Sequence, residues 1–107
     1  MAYGGFGGGN MQQLMKQAQA MQRKLQEAQE EIAETEVTGS AAGGMVEVTM
    51  TGDKTPVSVT IKPEAVDPDD VEMLEDMILA ALNDANEKAE KLSKDLMRPM
   101  GNMGGLF

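Results

Sequence analysis

Cysteine, histidine and tryptophan are all missing from this chain of 107 residues. Without Cys there is no disulfide framework and no thiolate metal site, a composition that suits a reducing compartment. Without His the commonest general base and the commonest transition-metal ligand are gone. The only rings are one Tyr and two Phe, and Tyr3, Phe6 and Phe107 all lie near the termini. The core must therefore be aliphatic, with the 11 Met residues as adaptable filler. A small core without aromatics favours one shared between two copies. No apolar run is long enough to span a membrane and no signal-peptide pattern appears, so a soluble, cytoplasmic protein is expected.

Positive charge is also scarce. Nine Lys and Arg stand against 18 Asp and Glu, for a formal net charge of −9. A typical nucleic-acid module is basic, so the total argues against one. Binding follows the local potential rather than the sum, which makes the placement of the cations the informative quantity.

What the sequence does have is a long helical repeat. Over Met11–Glu36 the residues Met11, Leu14, Ala18, Met21, Leu25, Ala28 and Ile32 step alternately by three and four, the 3.5-residue spacing of a helix packed lengthwise on another helix. At 1.5 Å per residue this helix would be about 39 Å long, which predicts either an arm projecting from its domain or a second chain alongside. Lys16 and Arg23 fall within about 20° of each other, opposite the seam. Its only cations, Lys16, Arg23 and Lys24, precede Glu27, Glu30, Glu31 and Glu34, an order that opposes the helix dipole. The glutamates read as a solvated face, and the Met-rich seam as packing rather than a ligand groove.

Upstream, residues 1–9 are mostly Gly and are expected to form a flexible tail, with Asn10 as the N-cap of the long helix. The stretch has neither the dinucleotide-binding nor the Walker spacing. From Val37 the period changes. VTGSAAGG suggests a short strand entering a turn. Val46, Val48 and Met50 then alternate with Glu47, Thr49 and Thr51, and beyond Gly52-Asp53-Lys54 the residues Val57, Val59 and Ile61 alternate with Ser58, Thr60 and Lys62. The pattern predicts a three-stranded antiparallel sheet with one apolar face.

Pro63 ends the third strand. Asp67-Pro68-Asp69-Asp70 predicts a helix start with Asp67 as cap, and Pro99 a helix end after Arg98. The apolar stripe between them is Leu74, Met77, Ile78, Ala81, Leu82, Ala85, Ala89, Leu92 and Leu96. Residues 99–107 are expected to be a second flexible tail. The acidic group Asp67, Asp69, Asp70, Glu72, Glu75 and Asp76 falls where a helix N-terminus favours acids, which is preferred to a divalent-metal site. Lys88, Lys91, Lys94 and Arg98 suit the C-terminal half of a helix by the same argument, but they also form a candidate phosphate-binding set. Lys91, Lys94 and Arg98 lie within roughly 60° on the face away from the stripe. Ser40, Ser58 and Ser93 have no His to activate them, and paired carboxylates would need a cleft, so no catalytic residue, metal or cofactor is expected.

Taken in order, the MKQAQ run at Met15–Gln19, the GSAAGGMVEVT turn and strand, and the EMLEDMILAALNDA segment resemble the YbaB/EbfC family of bacterial nucleoid-associated proteins from about Asn10 to Met97. The resemblance implies an α+β, α-β-β-β-α protomer within a single domain over residues 10–98. It also implies a tweezer-like homodimer whose helices grip double-stranded DNA in the nucleoid, with effects on gene expression and no catalytic activity. Lys16, in the MKQAQ run, and the cations Arg23, Lys24, Lys88, Lys91, Lys94 and Arg98 are then the expected DNA contacts. With no clear set of base-reading side chains, binding should be salt-sensitive and mostly indifferent to sequence. The alternative is a dimeric protein-interaction module with little DNA affinity, its acidic faces and Met-rich helices engaging a protein partner.

Overall fold

The structure, a computed structural model, describes residues 2–104, with the side chains of residues 10–98. Helix α1 (Ala2–Glu34) is followed by strands β1 (Glu36–Ala41), β2 (Val46–Thr51) and β3 (Pro56–Ile61), and by helix α2 (Val71–Gly104). Short 3-10 turns at Ala42–Gly44 and Pro63–Ala65 link β1 to β2 and β3 to α2. The architecture is the expected α-β-β-β-α, with an antiparallel sheet in the order β1-β2-β3.

The alternation in β2 decides which face is covered. Val46, Val48 and Met50 are buried and form the core with Ala65, Ala81, Ala85 and Ala89. Complete burial of Val46 and Val48 contributes about 1.5–3 kcal/mol each. Helix α2 lies across β1 and β2, and its contact face there is the small-residue line Ala81, Ala85 and Ala89. Gly39 of β1 completes this contact. A Cβ on it would stand 2.6 Å from the Cα of Ala85 and 2.5 Å from the carbonyl oxygen of Ala81. Helix and strand thus meet backbone to backbone.

The expected apolar face does extend into β3, where Val59 pairs with Val48 and Ile61 with Val46. Yet α2 makes its main contacts with β1 and β2, and Val57 and Val59 remain 49% and 54% exposed. A register shift between Thr49 and Met50 bends the hairpin end, where the Thr51 hydroxyl donates to the Asp53 carboxylate and Lys54 takes φ +70°. The β1–β2 connection puts Gly43 and Gly44 at φ +67° and +91°, the left-handed region that glycine enters without steric cost.

The start of α2 differs from expectation. Asp67 uses its carboxylate on the N–H of Asp69 at 3.0 Å, closing a local turn, and Asp70 is the residue that caps the helix through the N–H of Met73 at 3.2 Å. The helix begins at Val71 as a result. At the other end the backbone stays helical through Pro99 to Gly104, although a proline there cannot donate to the carbonyl four residues earlier. Helix α1 likewise begins at Ala2, so that Asn10 lies inside it rather than at its cap. Its glycines are each about 1 kcal/mol less favourable than Ala in a helix. The two expected tails, 1–9 and 99–107, fall outside the described side chains.

The seam of α1 is covered over its C-terminal half only. Ile32 is buried and Met21, Leu25 and Ala28 are half-buried, whereas Met11 and Leu14 are each 61% exposed. The helix packs on α2 of its own chain. Gly52, at the hairpin, anchors the end of α1 by donating its N–H to the carbonyl of Ile32 at 2.9 Å. A Cβ on Gly52 would meet that oxygen at 2.7 Å and Leu92 at 3.0 Å. The molecule is drawn out to 84 × 22 × 17 Å.

Candidate nucleic-acid interface

The helical phase that packs one face of α1 against α2 turns the opposite face outward. Lys16, Arg23 and Lys24 are all exposed. Arg23 lies with Gln19, Gln22 and Gln26 along a shallow open groove of about 310 Å³. From Asn10 to Gln26 the chain contains no Asp or Glu; the acids begin at Glu27. The outer stretch of α1 is thus cationic and amide-rich inside an acidic protein. Lys16 and Arg23 are about 10 Å apart along the helix axis, and no ion pair engages them among the described residues.

On α2 the four cations divide. Lys91 and Lys94 are exposed and take part in no ion pair among the described residues. Arg98 reaches back to Asp95 at 2.8 Å. Lys88 points another way, donating to the backbone carbonyl of Thr38 at 3.0 Å and pairing with Asp84 at 3.2 Å. Helical phase explains the split, since Lys88 is only about 60° from Ala85 around the axis while Lys91, Lys94 and Arg98 lie beyond it on the far side.

The fold adds one cation that sequence reasoning did not single out. Lys54, at the hairpin turn, lines a shallow hollow of about 350 Å³ with Lys94, Ser93, Glu90, Asp53 and Gly52. The Gly-Asp-Lys turn was visible in the sequence, but its approach to α2 depends on how the hairpin meets the helix. Two carboxylates share the hollow, so its charge is balanced. Asp53 is held below the ordinary carboxylate pKa by the hydrogen bonds from Thr51 and Thr55. Among the described residues no cluster of Asp or Glu is arranged to hold a metal ion, and the acids near the start of α2 are spent partly on turn and cap. No described helix is long and apolar enough to cross a membrane.

The arrangement is that of a small mixed sheet-and-helix protein whose polar, cation-bearing helix faces lie away from the core. The chain belongs to the YbaB/EbfC DNA-binding family, which it matches over residues 7–105. It is 52% identical over 99 residues to a protein of Chloroflexus aurantiacus named nucleoid-associated protein, covering 92% of this chain and 99% of that one. A protein of Acetivibrio thermocellus with the same name is 51% identical over 109 residues, covering 99% and 96% of the two chains. Among solved structures, the uncharacterized protein HP0035 from Helicobacter pylori superposes with a TM-score of 0.70 at 27% identity, over 83% of this chain and 94% of that one.

Proposed function

We propose that this protein is a nucleoid-associated protein that binds double-stranded DNA as a homodimer, through the exposed faces of α1 and α2 and with little sequence preference. The observation that carries the reading is the charge placement on α1: the polar residues from Asn10 to Gln26 are cations and amides only, with every acid of the helix closer to the sheet. Such a face attracts phosphate locally despite the net charge of −9, because screening limits the reach of the distant acids to about 8–10 Å. Lys91, Lys94 and Arg98 add phosphate contacts from α2, interrupted by Glu87, Glu90 and Asp95. The glutamines supply hydrogen bonds of low specificity. Effects on gene expression then follow from which duplex is occupied.

The dimer is supported by β3, an edge strand with exposed Val57 and Val59 on the same face as the core. Long, apolar, unpaired edges are avoided in monomers. Pairing β3 with β3 of a second copy covers these valines and sets two helical arms in a fixed, two-fold relation.

The test is a mobility-shift titration of duplex DNA at several salt concentrations, with Lys16→Glu/Arg23→Glu against the unaltered protein. Binding should weaken strongly in the variant. The salt dependence of its logarithmic affinity should flatten by about 0.9 for each phosphate contact removed. Equal affinity and equal slope would refute the α1 contact.

A further inference from the structure

The two edges of the sheet, β1 and β3, are treated differently by the rest of the fold. Thr38 and Thr49 face each other across β1 and β2, with their hydroxyls 3.0 Å apart. That is the close approach of a pair that exchanges no backbone hydrogen bonds. The backbone groups of Thr38, and of Ser40 two residues on, therefore point away from the sheet. Both are occupied from α2. The N–H of Ser40 donates to Asp84 Oδ2 at 2.9 Å, and the carbonyl of Thr38 accepts from Lys88 Nζ at 3.0 Å. The two side chains are also paired with each other at 3.2 Å. On β3 the same alternation turns the backbone groups of Val59 and Ile61 outward, with Val57 at the register shift, and among the described residues no side chain hydrogen-bonds to these three.

We propose that the Asp84–Lys88 pair guards the β1 edge, so that a second copy extends the sheet only through β3 and assembly stops at two. This rests on the homodimer reading above and specifies how it closes. With both edges open, β1 of one copy could pair with β3 of the next, a head-to-tail contact that repeats without closing. With β1 covered, only the self-complementary β3–β3 contact remains, and both outer strands of the merged sheet are guarded. The side chains of Lys88 and Asp84 are 51% and 36% exposed, and a surface pair of this kind adds little stability. Its value is positional, since it fills the two backbone sites that an added strand would need.

The unaltered protein and the Asp84→Ala/Lys88→Ala variant would be compared by size-exclusion chromatography with light scattering over a range of concentrations, with circular dichroism confirming the fold. The variant's mass should rise with concentration to roughly twice the unaltered value and beyond. Adding Ser40→Pro, which removes the outward N–H, should return it to the unaltered value. A folded variant that keeps the unaltered mass overturns the proposal, as does a raised mass that Ser40→Pro leaves in place. If the double variant does not fold, Asp84→Ala and Lys88→Ala are tested singly; each vacates one of the two sites and should raise the mass with concentration, and folded single variants that both keep the unaltered mass overturn the proposal. An unaltered protein with the mass of one chain would instead refute the homodimer, while the comparison between variant and parent still decides the guard.

Discussion

Replacing Gly39 by Ala adds one methyl group at the point where β1 and α2 touch. That methyl would sit 2.6 Å from the Cα of Ala85 and 2.5 Å from the carbonyl oxygen of Ala81. Carbon atoms settle at about 3.5–4.0 Å, so the helix must withdraw by about 1 Å along the Ala81–Ala89 face. The obstruction is backbone, which cannot rotate aside as a side chain would. Overpacking a core typically costs about 1–3 kcal/mol, and this geometry belongs at the upper end, about 3 kcal/mol. At about 4–8 °C per kcal/mol for a domain of this size, Tm should fall by about 12–24 °C. Thermal unfolding followed by circular dichroism at fixed protein concentration measures it, with urea unfolding to show that the midpoint moves while the slope is retained. Gly43→Ala is the control. No atom lies within 4 Å of its added methyl, and only the left-handed backbone is penalised, by about 1–2 kcal/mol. A Gly39→Ala protein as stable as Gly43→Ala would refute the backbone-to-backbone contact.

Asp70→Ala should lower stability by about 1 kcal/mol through loss of the cap on Met73, while Asp67→Ala should leave the start of α2 in place; helical circular dichroism and urea midpoints distinguish them. Asp84, whose carboxyl is held below its ordinary value of 3.8 first by the Ser40 N–H and then by Lys88, favours the folded state above that value. Its contribution is lost as pH falls through the lower folded pKa, and Asp53 behaves likewise. Acid unfolding of Asp84→Asn should therefore show a weaker pH dependence below about pH 4. Lys91→Ala/Lys94→Ala should weaken duplex binding uniformly across sequences and flatten the salt dependence, whereas Arg98→Ala, which removes a cation already paired with Asp95, should have a smaller effect in the same titration.

Patterns that repeat within an element were readable in the sequence. The alternation of Val46, Val48 and Met50 gave a central strand, and the spacing of Met21, Leu25, Ala28 and Ile32 gave the packed face of α1. Choices among nearby residues of one type were less so. Asp67 and Asp70 are equally good caps by composition, and the α2 start was settled by Asp67 folding onto Asp69. Val57 and Val59 satisfied the alternation, but their exposure depends on how far α2 reaches across the sheet. Lys88 has the same local context as Lys91 and Lys94, and its engagement with Thr38 follows from a strand fifty residues away in the chain. Gly39 looked like turn composition, and only the approach of α2 shows why no side chain fits there.

Helix α2 is one uninterrupted rod that rests on the sheet through methyl groups and then runs on beyond it. It therefore works as a lever with its pivot at Ala85. Arg98 is thirteen residues further along, about 20 Å at helical rise, and a tilt of about 5° at the pivot displaces it by roughly 2 Å. The position of the cationic end of α2 relative to the sheet is thus governed where the helix rests on Gly39, by contacts the size of a single carbon atom. A substitution of small volume at Ala81 or Ala85 would shift that end without altering any charge.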